Sequence, residues 1–185
     1  MELDIKPFQA RLERLAFNNH IEIVQFAEID EKLYKVAMVL AQSFNEHMLV
    51  NFTEEKFNYH LDLIKTHLEN IAYRIFHILK MEGYNSEILP PLYLTDKNKD
   101  CQLNKEMAKL AGIGKTGKKG FFVHPTHGVK IVICSILTDA PLEVDKEFKI
   151  DLCKNCSICD ENNFFEAVKK CPYGKDRATW NLFKK

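Results

Sequence analysis

Residues Thr53 to Met81 read TEEKFNYHLDLIKTHLENIAYRIFHILKM. Phe57, Leu61, Ile64, Leu68, Ile71, Ile75 and Leu79 recur at steps of three and four, which draws one apolar stripe along a helix. Thr53 suits the N-cap, Glu54 and Glu55 suit the positive end of the helix dipole, and Gly83 suits the stop. Such a helix is ~40 Å long at 1.5 Å per residue. Its stripe must be buried against other elements, so it reads as the spine of a domain.

On the N-terminal side, residues 6–16 fit a short helix. His20 to Phe26 alternates and is β-branched, as a strand does. Tyr34 to Ala41 is an apolar run that fits either a buried strand or a short helix. On the C-terminal side, Pro90-Pro91 breaks the chain before the apolar Leu92-Tyr93-Leu94, and Leu103 to Leu110 is helical in pattern. A glycine-rich turn, Gly112 to Gly120, comes next. Phe121 to Val123 and Val129 to Leu137 read as strands paired across Pro125-Thr126-His127-Gly128. Strands and helices mixed without regular βαβ alternation predict an α+β fold. The composition changes after Lys149, which divides the chain into a core domain, 1–149, and a cysteine module, 150–185.

The 185 residues are 46% hydrophobic, enough for a sizeable core. The 26 basic and 26 acidic residues cancel, which argues against non-specific nucleic-acid binding as the main activity and leaves room for a local basic patch. No apolar run approaches the 18 residues of a membrane span, so no membrane partner is expected. The start, Met1-Glu2-Leu3-Asp4, lacks a signal-peptide core, and the expected compartment is the cytoplasm. In a reducing compartment, clustered cysteines point to metal binding or redox chemistry.

Four cysteines cluster near the C-terminus: Cys153-Lys-Asn-Cys156-Ser-Ile-Cys159, then eleven residues, then Cys171-Pro172. Thiolates two residues apart can wrap one cluster, each on a different iron, and a later cysteine completes the set. Cys-Pro at the end belongs to the bacterial ferredoxin run, where the last gap is three residues. The chain has no second such run, so Cys171 is expected to close the same [4Fe–4S] cluster, making 150–185 a ferredoxin-like module. The competing reading is a structural zinc site with four thiolate ligands, although zinc favours two separated C-x2-C pairs. The bland reading is four unmetallated thiols. Cys134 lies inside an apolar strand and reads as a small hydrophobe, and Cys101 reads as a spare thiol.

Gly112-Ile-Gly114-Lys-Thr-Gly117 matches G-x-G-x-x-G literally, and Gly112 to Lys118 begins like a P-loop. Both fail on context. The order is helix then strand, the reverse of a dinucleotide fingerprint, and Lys119 stands where a P-loop needs Ser or Thr. The glycines still imply a close approach to something, and Lys115, Lys118 and Lys119 make an anionic partner plausible. His124 and His127 face either a ligand or only their own turn. His60, His67 and His77 read as ordinary flank residues of the long helix. Trp180 and Phe183 are expected to pack back onto the domain, and the basic tail reads as solvated.

Leu103-Asn-Lys-Glu-Met-Ala-Lys-Leu-Ala-Gly-Ile-Gly-Lys-Thr-Gly-Lys-Lys-Gly, continuing through Leu137-Thr-Asp-Ala-Pro-Leu-Glu-Val-Asp145 into the cysteine run, resembles the epoxyqueuosine reductase and reductive dehalogenase families. Asn58-Tyr59-His60 looks like their Asp-Tyr-His. The resemblance spans about residues 53–172. It implies a corrinoid-type α/β core, similar to nitroreductase folds, beside an iron–sulfur module that feeds electrons to cobalt. Cofactor-binding candidates are then Gly112, Gly114, Lys115, Gly117, Lys118, His124 and His127. Catalytic candidates are Tyr59, His60, Asp96 and Asp100; the two carboxylates flank Asn98, which stands where the epoxyqueuosine enzymes keep a proton-donating Asp. With one cluster and these exchanges, the chain looks like a shortened relative with altered chemistry. Implied partners are a donor such as ferredoxin or flavodoxin and a small-molecule cofactor, cobalamin, or substrate; tRNA stays open. The alternatives are a non-catalytic electron-transfer protein and a zinc-stapled binding module.

Overall fold

The computed structural model describes residues 5–30, 32–44, 53–91, 99–156, 167–168 and 170–173. Cys159, Asp96, Asn98, Leu92-Tyr93-Leu94, Trp180, Phe183 and nearly all of the basic tail lie outside the described residues, as does the Asp100 side chain.

Helix α1 spans Ile5–Asn18 and buries Phe8, Leu12 and Ala16, each four residues from the last. Strands β1 (Ile23–Glu28) and β2 (Val36–Ser43) follow. The 34–41 run is therefore strand from Val36 onward, and the strand continues to Ser43. Helix α2 spans Glu54–Met81; of its predicted stripe Phe57, Leu61, Leu68, Ile71, Ile75 and Leu79 are buried and Ile64 partly so, and Ala72 is buried beside them. The Thr53 side chain accepts from the Lys56 N–H at its start, and Gly83 ends it at φ +88°. Strand β3 (Ser86–Leu89), helix α3 (Lys99–Leu110), the two-residue strands β4 (Lys115–Thr116) and β5 (Phe122–Val123), and strand β6 (Ile131–Thr138) complete the order. No helix of the described residues is long and apolar enough to cross a membrane.

The main sheet is antiparallel in the order β1-β2-β6-β3. Every residue of β6 is buried, so both faces of the sheet are covered. The Cys134 side of β6 lies toward α2, whose Glu69 is near enough to raise the buried thiol's pKa after burial itself. Its neighbour Ser135 is in register with Val39, and Val39 with Gln25, whose side chain reaches Gly112 beyond the end of α3. Successive strand residues point to opposite faces, so α2 and α3 cover opposite faces.

One expected pairing is wrong. Residues 121–123 do not pair with 129–137. β5 pairs with β4 in a separate small hairpin, while β6 takes β2 and β3 as its two neighbours. A strand buried at every position needs a long partner on each edge, and β5 has two residues to offer. Only a His124–Gly128 bridge closes the intervening turn. The first strand also starts later than expected, because His20 turns the chain at φ +64°.

After β6 the chain runs without regular structure, fastened by side chains. Asp139 accepts from the Asn85 N–H and Nδ2 at 2.8 and 2.7 Å, and Thr138 Oγ1 donates to the Asn85 carbonyl. Asp145 brackets the edge of β1: its N–H donates to the Phe26 carbonyl and its carboxylate accepts from the Phe26 N–H at 2.9 Å. The Phe148 N–H donates to the Lys109 carbonyl at the end of α3. These bonds deliver residues 151–156 beside the glycine turn.

Asn19 ties α1 to α2. Its carbonyl lies 2.8 Å from His67 Nε2 and its side chain accepts from Arg74. His67 is thus a packing residue. Replacing fully buried Ile75 with Ala is expected to cost about 2–5 kcal/mol in urea unfolding. Leu63→Ala, at a site 50% exposed on the same helix, is expected to stay within about 0.5 kcal/mol.

Candidate functional site

Cys153, Cys156 and Cys171 line one cavity of ≈ 250 Å³. Its remaining wall comes mostly from the core: Gly117, Lys118, Lys119, Phe121, Val123 and Val129, with Tyr173 from the cysteine segment. Local bonds set the cysteines. The Asp151 carboxylate accepts from the Cys153 N–H at 3.1 Å, and the Cys156 N–H donates to the Cys153 carbonyl. The Cys171 N–H donates to Ala167 at the end of a short helical turn. Leu152, Ala167, Val168 and Cys171 are buried members of the main hydrophobic core.

Tyr173 fixes the rim. Its hydroxyl donates to the Leu152 carbonyl at 2.6 Å, and burial, followed by the nearby Cys153, Cys156 and Cys171, pushes its pKa up. The Lys118 ammonium reaches the Cys156 carbonyl at 3.4 Å. The buried Lys105 side chain donates to the Gly120 carbonyl at 2.8 Å and anchors the glycine turn from below. Among the described residues, no three His, Cys, Asp or Glu side chains stand together as a single metal ion would need.

The glycines divide by neighbour. Carbonyl oxygens of Lys146 and Val123 occupy the space a Cβ would need at Gly112 and Gly114. These two serve backbone packing. At Gly117 the nearest neighbour is the Cys153 thiol, with Val123 behind it, and at Gly128 it is the Tyr173 carbonyl, with the Cys171 thiol next. Gly117 and Lys118 thus meet the cysteines, while Lys115 belongs to β4. Tyr59 and His60 lie in the early turns of α2, Tyr59 63% exposed, and neither lines the cysteine cavity. Cys134 is fully buried, its thiol pKa raised by burial and then by Glu69, and Cys101 is buried on α3.

Sequence reasoning missed Gly128, Tyr173 and Lys105. Gly128 was visible only as the end of a turn. Tyr173, one residue beyond Cys171-Pro172, carried no signal of the hydroxyl's long-range partner.

His124 and His127 stack at 4.8 Å between ring centroids. His124 Nδ1 accepts from the N–H groups of Thr126 and His127, each at 3.1 Å, so the ring holds its own turn and its Nδ1 is unprotonated. Burial first, and the nearby His127 second, lower the His124 pKa to about 3. Burial likewise lowers His127, with Lys130 adding to the effect and Glu22 opposing it. Between the folded value and the usual 6.5, the unfolded chain binds a proton at His124 that the folded chain does not. Stability is therefore full above about pH 6.5 and falls toward pH 3, by at most about 1.4 kcal/mol per pH unit for this group. His124→Asn, whose amide oxygen can replace Nδ1 as acceptor, is expected to lose that slope in urea unfolding measured across this range.

No family model matches the chain. An epoxyqueuosine reductase from Synechococcus sp. (strain CC9605) is 34% identical over 77 residues, which make up 36% of this chain and 24% of that protein. A tetrachloroethene reductive dehalogenase from Dehalobacter restrictus is 28% identical over 94 residues, 51% of this chain and 16% of that one. Among solved structures, a selenomethionine-labelled epoxyqueuosine reductase superposes with a TM-score of 0.60 at 14% identity, over 84% of this chain and 52% of that chain. A reductive dehalogenase whose structure suggests a mechanism for B12-dependent dehalogenation gives 0.66 at 13% identity, over 82% and 24%. The chain thus spans a quarter or less of the curated relatives it matches. Over those segments the chain is similar in sequence to an epoxyqueuosine reductase and a reductive dehalogenase, and its α+β fold is similar to theirs.

Proposed function

We propose that the chain is a redox protein of the reductase type, in which Cys153, Cys156, Cys159 and Cys171 hold one [4Fe–4S] cluster and pass electrons to a cofactor or substrate on the core. The observation that carries this reading is the cavity walled by Cys153, Cys156 and Cys171. Its donor set is all thiol. Its volume of ≈ 250 Å³ suits a polyatomic group. A lone zinc ion would draw all its thiolates to ≈ 2.3 Å around one point. The apolar side chains of Phe121, Val123 and Val129 line its inner wall, and the degree of solvent exposure is one of the things that tunes a cluster's potential. The relationship to two families of reductases supports the same role.

In this role each residue has a physical task. The thiolates are the ligands, and the group they hold would supply one-electron transfer. Lys118 pins the Cys156 loop through its carbonyl, and the Tyr173 hydroxyl pins the Leu152 carbonyl. Asp151 orients the Cys153 backbone. A one-electron carrier protein of the ferredoxin or flavodoxin kind is the donor class that fits.

A corrinoid does not fit all the residues first considered for it. Gly112 and Gly114 are already covered by backbone, and His124 is occupied with its own turn. No step is derived through that group. The B12-dependent relative keeps cobalamin as one acceptor to test.

Anaerobic loading with iron and sulfide is expected to give a brown protein holding the two in equal amounts. Cys171→Ser is expected to lose most of that iron while keeping its far-UV circular dichroism. A colourless protein that takes up zinc instead would overturn the reading. Cobalamin added to the loaded protein separates a corrinoid-dependent reductase from an electron-transfer protein. A shifted absorption spectrum that survives desalting supports the first, and an unchanged spectrum supports the second.

A further inference from the structure

We infer that Gly117 and Gly128 are positioning residues for the cluster: their bare Cα atoms let the core seat the Cys153 and Cys171 thiolates directly against its backbone. This rests on the reading of the cysteines as cluster ligands and adds that the core fixes where two of them stand.

The case begins with space. A Cβ on Gly117 would stand 2.6 Å from Cys153 Sγ and 3.5 Å from its Cβ. A Cβ on Gly128 would stand 3.1 Å from Cys171 Sγ and run into the Tyr173 backbone. Non-bonded contacts of carbon are comfortable only at about 3.5–4.0 Å. Any other residue at either position must push something away.

Rigidity decides what moves. The Gly117 N–H donates to the Phe121 carbonyl at 2.8 Å, and its own carbonyl accepts from Gly120 at 3.0 Å. Buried Lys105 holds Gly120 from beneath. Gly128 exchanges two 2.8 Å backbone bonds with His124, whose ring braces the same turn. At Gly117 the turn is tied twice over and the nearest obstacle is a side-chain end, so the displacement falls on the Cys153 sulfur; at Gly128 the nearest obstacle is the Tyr173 carbonyl, so the Cys171–Tyr173 backbone must shift and carries the Cys171 sulfur with it.

The two positions differ in a useful way. Gly128 adopts φ +60°, which L residues rarely take, so a side chain there brings backbone strain as well. Gly117 lies outside that region, so a side chain there meets no positive-φ strain. At Gly117 the Cys153 thiol at 2.6 Å is the nearest obstacle to a side chain, with Val123 Cγ2 at 3.2 Å behind it. Gly120 supplies the converse control, with φ +81° and nothing within 4 Å of a Cβ. Alanine there strains the same hairpin without touching a cysteine.

The roles of these turns follow. Cys171 is nearly fully buried and, with Cys153, faces core backbone, while Cys156 is half-buried and borders both the inner cavity and an outer cleft lined by Lys154, Asn155 and Tyr173. The glycine-backed side is the one that couples the cluster to the core.

The test uses the full chain, loaded anaerobically with iron and sulfide, in wild-type form and as Gly117→Ala, Gly128→Ala and Gly120→Ala. Iron retention against a chelator is expected to fall about tenfold or more in Gly117→Ala. The electron paramagnetic resonance spectrum of whatever reduced cluster remains is expected to shift. Gly120→Ala is expected to lower the unfolding midpoint and keep wild-type retention and spectrum. Gly128→Ala is expected to do both kinds of damage; if it does not fold, Gly117→Ala, which has no backbone strain, decides alone. A Gly117→Ala protein with wild-type retention and spectrum overturns the inference and leaves the cluster reading standing. A wild-type protein that forms no iron–sulfur chromophore overturns the cluster reading itself.

Discussion

Strand β6 is buried at all eight of its positions, and that constraint organises the rest of the molecule. A strand with no solvent face and no solvent edge must be given two helical covers and two strand neighbours. β2 and β3 fill the edges. α2 lays its apolar stripe on one face, and α3 with the glycine turn covers the other. The end of β6 then fixes where the chain leaves the sheet. Thr138 and Asp139 bind Asn85 there, Asp145 brackets β1, and Phe148 reaches the end of α3. These bonds lead the chain from the sheet to the glycine turn, where the cysteines stand.

That course gives the cysteine site its character. A free-standing ferredoxin-like unit would wall its cluster with its own residues. Here Gly117, Phe121, Val123 and Val129 of the core supply much of the wall, and Leu152, Ala167 and Val168 of the cysteine segment bury themselves in the core. The thiols come from one part of the chain and the apolar wall from another. On the proposed reading, this arrangement would suit electron passage between cluster and core better than a purely structural staple.

The parts of this legible in the sequence were those with local causes. The α2 stripe, its Thr53 cap and its Gly83 stop are set by neighbours three and four residues away, and they stand where the pattern puts them. The run at Tyr34 to Ala41 stayed ambiguous because β2, buried on both faces over most of its length, loses the alternation that marks a strand. The partner of β6 was misread because strand pairing is non-local: the nearest apolar run was too short, and the true partners lie some fifty and ninety residues upstream. In the site, the spacing of Cys153, Cys156 and Cys171 pointed to their convergence, and the three do line one cavity. That the glycines approach something was legible too, but their targets were not. Gly112 and Gly114 meet backbone, and only Gly117 and the unsuspected Gly128 meet thiols. Asp139 and Asp145, readable as a motif, turn out to be hydrogen-bond clamps, a role no spacing reveals.

The central claim is that these cysteines hold one four-iron cluster against the core. Mössbauer spectroscopy on protein loaded anaerobically with the iron-57 isotope tests it most directly, because it reads the oxidation states and number of environments of all the iron present. The account predicts the delocalised mixed-valence iron of a single [4Fe–4S] cluster. Spectra showing only isolated iron in thiolate or oxygen surroundings, or no bound iron at all, would contradict it.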